Sequence, residues 1–109
     1  MAALAVQQVK DDGTAPTFSP VSASDTAPIS NGRNTVAIYK NGSGSSVTVT
    51  AVVPGNSFFG SPNPDNVITV PAGGEKWIPL RQAYSDGTGK ATITTSSQSS
   101  VTVAVVQVG

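Results

Sequence analysis

Residues 46–53 read SVTVTAVV, with valine or alanine at every second position from Val47 and threonine between them at 48 and 50. Side chains alternate across a strand, so Val47, Val49, Ala51 and Val53 share one face and Thr48 and Thr50 the other. The same two-residue period runs through most of the chain, and the three-to-four-residue recurrence of an amphipathic helix is nearly absent. β-Branched residues, stiff at χ1, suit this pleated arrangement. Strands are predicted over 33–40, 46–53, 67–70, 75–80, 90–95 and 100–108. Asn31-Gly32 and Asn41-Gly42 bracket the first of these and predict tight hairpins, since both residue types tolerate positive φ. Pro54-Gly55 ends the second strand. Residues 54–66 form a long loop with Pro54, Pro62 and Pro64, and this loop has to pack the rings of Phe58 and Phe59. Turn signals every eight to fifteen residues predict an antiparallel β-sandwich, jelly-roll-like, with Val36, Ile38, Val47, Val49, Val101 and Val103 in its core. SSVTVTAVV at 45–53 returns as SSVTVAVVQ at 99–107. Two copies are too few for a solenoid and read as strands in like environments.

The first thirty residues differ in kind. Pro16, Pro20 and Pro28 stand among Ser, Thr, Ala and Asp, which predicts an extended arm with one short strand over 4–9. Such an arm either crosses its own sheet as edge strands or lies on a neighbouring molecule. The domain reading is an arm over 1–30 and a sandwich over 31–109, a length that suits one small domain.

Composition excludes much chemistry. Six basic side chains balance six acidic ones and six aromatics are scattered, so the chain has neither the field nor the stacking surface of a nucleic-acid binder. There is no histidine and no cysteine, which removes the usual base of a serine nucleophile, thiolate metal sites and disulfides. Asp11-Asp12 read as solvated turn residues beside Gly13. The stretches 63–66 and 86–89 each offer a few oxygen ligands, fewer than a calcium loop requires. Gly42-Ser43-Gly44 and Gly87-Thr88-Gly89 are followed by no helix and read as turns rather than phosphate cradles. The opening MAALAVQQVKDDG has no basic segment and only a short apolar run, so neither a signal peptide nor a membrane span is predicted. The expectation is a protein that is not an enzyme and has no cofactor or metal.

The stretch VPAGGEKWIPLRQAY, residues 70–84, holds the only tryptophan. A turn at 71–74 and a returning strand put Lys76, Ile78 and Leu80 on one face and Glu75, Trp77 and Pro79 on the other. Both faces carry large apolar groups. One belongs to the core, and the other needs cover from the arm, the Phe58-Phe59 loop or a partner. With one Trp in the chain the expectation is a core position, and an interface anchor is the alternative. The candidate interface residues are Trp77, Pro79, Phe58, Phe59, Arg33, Arg81 and Tyr84.

The order of NGRNTVAIYKNGSGSSVTVTAV, ITVPAGGEKWIPL, AYSDGTGKATITTSS and SVTVAVVQV resembles the small head proteins of tailed bacteriophages, assigned as decoration or cement proteins or as minor head components. The resemblance spans about residues 4–108 and lies in the order of the turns NGR, VPAGGE and DGTGKATIT. Such proteins usually follow the PAGG turn with a Gly-Pro-Phe-like ending, where this chain has Trp77-Ile78-Pro79-Leu80. The resemblance carries over no catalytic residues. It implies a virion protein, made in the host cytoplasm, that binds the outside of an assembled capsid and holds major capsid subunits together. A homo-oligomer is implied, with a trimer favoured. Two alternatives stand beside it: a carbohydrate- or receptor-binding β-sandwich using Trp77, Tyr84 and Tyr39 as stacking platforms, and a tail-tube or head-completion subunit.

Overall fold

The computed structural model describes residues 2–10, 13, 15–29, 34–55, 59–61 and 64–108. Within them the chain forms β1 (Ala2–Ala3), β2 (Val6–Val9), β3 (Ser19–Pro20), β4 (Ser24–Pro28), β5 (Thr35–Asn41), β6 (Val47–Ala51), β7 (Asn66–Val70), β8 (Glu75–Pro79), a 3-10 turn at Gln82–Tyr84, β9 (Lys90–Thr95) and β10 (Val101–Val108). The protein is all-β. Sheet I has the strand order β1-β4-β9-β6-β7 and sheet II the order β2-β10-β5-β8, with β3 also paired to β10. Most pairs are antiparallel, and β1 with β4 and β2 with β10 are parallel. The two sheets pack as a sandwich.

Period-two alternation decides what lies between the sheets. Sheet I turns Ala27, Val47, Val49, Val70, Ala91 and Ile93 inward, and sheet II turns Ala37, Tyr39, Ile78, Val101, Val103 and Val105 inward to meet them. The repeated SSVTV segments take equivalent places: Val47 and Val49 in β6 and Val101 and Val103 in β10 are all buried core residues. Val36 is a correction, being only half-buried, and Ile38 is buried as expected but on the outer face of its sheet rather than between the sheets. In β5 the inward set is Thr35, Ala37, Tyr39 and Asn41, because Tyr39 pairs with inward Val103 while Val36 and Ile38 pair with Val106 and Ala104 on the opposite face. A one-residue change of phase transfers a whole set of side chains between faces.

The turns also differ from expectation. β5 and β6 lie in different sheets, so Asn41-Gly42 closes a crossing between sheets rather than a hairpin. Buried Asn41 holds that crossing: its amide donates to Ser45 O at 2.7 Å and Val70 O at 3.1 Å, and its Oδ1 accepts from the Ser43 amide at 3.0 Å. The turn at 71–74 likewise passes from β7 in sheet I to β8 in sheet II. Gly73 there has φ 71°, and a Cβ on Gly74 would stand 2.8 Å from Pro71 Cγ, so this turn needs both glycines. Asn31 and Gly32 lie outside the described residues. So does Phe58, and Phe59 is 90% exposed, which corrects the expectation that its loop packs both rings.

The described part of the first thirty residues is laid on its own domain. β1 joins sheet I, β2 and β3 join the free side of β10 in sheet II, and β4 pairs with β9 along its length. Leu4, between β1 and β2, donates its amide to Thr26 O at 2.7 Å, and Leu4 and Val6 pack against the core. The segment therefore bridges the two sheets along one side.

Candidate interaction face

The two outer surfaces of the sandwich have different chemistry. Outward positions of sheet I are Ser24, Thr26, Thr48, Thr50, Val67, Thr69, Thr92 and Thr94, a hydroxyl-rich face. Outward positions of sheet II include Val36 and Ile38 on β5, Ala104 and Val106 on β10, and Trp77 and Pro79 on β8. The contrast is visible between the two SSVTV copies, where Thr50 of β6 corresponds to Ala104 of β10. Water is a good solvent for the first face and a poor one for the second.

The chain covers part of that apolar face itself. Residues 16–18 are tied to β2 by a reciprocal pair of bonds, Gln7 Nε2 to Thr17 O at 2.9 Å and the Thr17 amide to Gln7 Oε1 at 2.8 Å. Phe18 then lies beneath the Lys40 ammonium, 4.1 Å from its ring centroid, a cation–π contact. Ile38, Ala104 and Val106 are buried although they point away from the interior.

A groove of about 380 Å³ remains between this strap and strand β8, lined by Val9, Pro16, Phe18, Ile38, Trp77 and Val106 among others. Lys40 and Glu75, directly opposite each other in register, close one end of it. Trp77 forms the wall on the β8 side and is 62% exposed. The core position expected for it is therefore wrong: the inward places of β8 and the residue after it go to Ile78 and Leu80. The indole N–H donates to Glu75 Oε2 at 2.7 Å, which ties the ring to its neighbour on the same face.

Of the other candidate interface residues, Pro79 is exposed two residues from Trp77 on the same face, and Arg81 is exposed at the entrance to the 3-10 turn. Tyr84 is half-buried with its hydroxyl accepting from Asn66 Nδ2 at 2.9 Å, and Phe59 sits on the β6–β7 loop of the other sheet. Arg33 and Phe58 lie outside the described residues. Tyr39, one of three suggested sugar platforms, is fully buried and cannot stack on a ligand. Sequence reasoning missed Phe18, Pro16, Ile38 and Val106. The available signal was Ala104, standing where the first SSVTV copy has the outward Thr50.

The described residues of the suggested oxygen clusters are engaged in hydrogen bonds within the chain. Asp86 Oδ1 accepts from the Thr88 amide at 2.8 Å and from the Thr88 hydroxyl, and these bonds hold its carboxyl below the usual value. Asp65 Oδ1 accepts from the Val53 amide at 2.8 Å, and Asn63, Asp11 and Asp12 lie outside the described residues. Among the described residues no group of three or more acidic, His or Cys side chains is placed to hold a metal, and no helix is long and apolar enough to cross a membrane. The chain matches no protein-family model, no curated protein and no solved structure.

Proposed function

We propose that this chain is a structural virion protein that binds the outer surface of an assembled phage capsid and stabilises contacts between major capsid subunits. The contact face is the outer face of sheet II. One observation carries the reading: Trp77, 62% exposed and held to Glu75, stands beside an apolar groove that the chain's own strap leaves open. A large amphipathic ring in fixed orientation over an apolar floor is the kind of group that anchors a protein interface. The resemblance in turn order supplies the partner, and the fold supplies what such a role needs, a sandwich of zero net charge with one apolar and one hydroxyl-rich face. Binding to the shell and not to free subunits stabilises the shell by mass action, about 2.7 kcal/mol per site at a hundredfold excess over Kd. The test is to heat empty shells with and without the purified protein. Shells carrying it should break at higher temperature, and unchanged breakage despite saturation would end the proposal.

The groove also supports a second reading, a carbohydrate-binding module, because Trp77 stands there beside the polar groups of Glu75 and Lys40. Tryptophan fluorescence titrated against a glycan panel separates the two: saturable quenching by a sugar, with no affinity for shells, selects the second.

A further inference from the structure

The sheet edges of this molecule are protected unequally. An edge strand presents unpaired N–H and C=O groups to any other strand, and proteins blunt such edges by brevity, proline or charge. β1 is two residues long, β2 and β3 divide the β10 edge into short pieces, and β8 carries Glu75, Lys76 and Pro79. Strand β7, NVITV, has none of these protections, and among the described residues no strand pairs with its outer side. It has five residues, no charge and no proline, and Val67 is 61% exposed.

The bonds of β6 determine which groups of β7 face outward. The Ser96 amide donates to Thr48 O at 2.9 Å and the Val52 amide to Thr92 O at 3.0 Å, so even-numbered residues of β6 turn their backbone toward β9. The odd-numbered ones turn toward β7, which makes Val47–Val70, Val49–Ile68 and Ala51–Asn66 the hydrogen-bonded pairs. The N–H and C=O groups of Val67 and Thr69 consequently point off the edge of the sheet.

We propose that the chain forms a two-fold dimer through β7, pairing antiparallel with β7 of a second copy about an axis at Ile68. In this register Val67 faces Thr69 of the second copy, and each such pair exchanges both of its outward backbone bonds. Ile68 meets its own copy at the close, non-hydrogen-bonded position, where side chains approach best. Asn66 faces Val70, and no like charges are opposed. Ile68 already packs half-buried against the core, so the pairing extends the inner apolar layer from one copy into the next. The edge is complementary to itself, as an isologous contact requires. This dimer is independent of the capsid reading and differs from the trimer that the resemblance implies.

The experiment is sedimentation equilibrium of the full chain from micromolar to about 1 mM, because small interfaces bind weakly. The comparison is with Val67→Lys, which sets two like charges near the axis, and Thr69→Pro, which removes only an outward N–H. The expected result is a monomer–dimer equilibrium whose Kd rises at least tenfold in both variants, with far-UV spectrum and Tm unchanged. Trp77→Ser should leave the Kd as it was. Should Thr69→Pro unfold the domain, Val67→Lys at an exposed position gives the same reading alone. A monomer throughout, a trimer, or a dimer indifferent to Val67→Lys would overturn the proposal.

Discussion

Tyr39 enters the interior with a phenol that has no hydrogen-bond partner among the described residues, and Asp25 Oδ1 and Thr35 Oγ1 share that condition. Burial raises the Tyr39 pKa well above its ordinary 10.0, and the Asp25 carboxylate raises it further. The sign follows: above about pH 10 the unfolded chain releases this proton while the folded chain keeps it, so stability falls as pH rises from there. Tyr39→Phe removes a buried hydroxyl with no partner among the described residues, so at pH 7 it should change stability by no more than about 1 kcal/mol in either direction. It should also flatten the alkaline loss, which thermal melts of both forms between neutral pH and pH 11 would read. Equal alkaline loss in both would assign the effect to other groups. Val49 tests the inward set. Val49→Asp buries an unpaired carboxylate and should cost about 4 kcal/mol or more, while Thr50→Asp on the opposite face should cost under about 1 kcal/mol. Urea midpoints of the two variants compare the faces directly.

At the scale of the element, the period-two pattern located the strands well: 46–53, 90–95 and 100–108 are observed as Val47–Ala51, Lys90–Thr95 and Val101–Val108. Alternation could not say which face of β5 turns inward. Val36 and Ile38 are as apolar as Ala37 and Tyr39, and the choice was made by Val103 across the ladder and by a strap remote in sequence. Nor could the dipeptide Asn41-Gly42 tell a hairpin from a crossing between sheets: neither residue takes the positive φ that the hairpin reading rested on, and Asn41 acts through its buried side chain instead. The site was legible as far as Trp77, Pro79 and the need for cover. Its other wall, at Pro16 and Phe18, depends on long-range placement of the first strands. That placement alters what truncation should do. Residues 1–20 supply β1, β2, β3 and the strap, so their removal bares both the β10 edge and the outer face of sheet II. Deletion should cost at least about 3 kcal/mol from lost burial of Leu4, Val6, Val9 and Phe18, and should promote aggregation. Thermal melts and light scattering of the truncated chain measure this; an unchanged Tm would mean that the segment is not part of the folded domain.

For the molecule as a whole, zero net charge, a hydroxyl-rich face and an apolar face with one exposed tryptophan describe a body suited to lasting contact. The strap covers part of the apolar face, and on the proposed reading the groove leaves the rest for a partner. On this account Trp77 contributes to binding and little to folding, which sets it apart from Ile78 and Leu80 beside it. The direct measurement is a co-sedimentation titration of the intact chain and Trp77→Ala against empty capsid shells, with a thermal melt of each. The account predicts saturable binding by the intact chain and a loss of about 2 kcal/mol or more of binding in Trp77→Ala, roughly thirtyfold in Kd, with the melting temperature nearly unchanged. Equal binding by both forms, or failure of the intact chain to bind any shell, would contradict it.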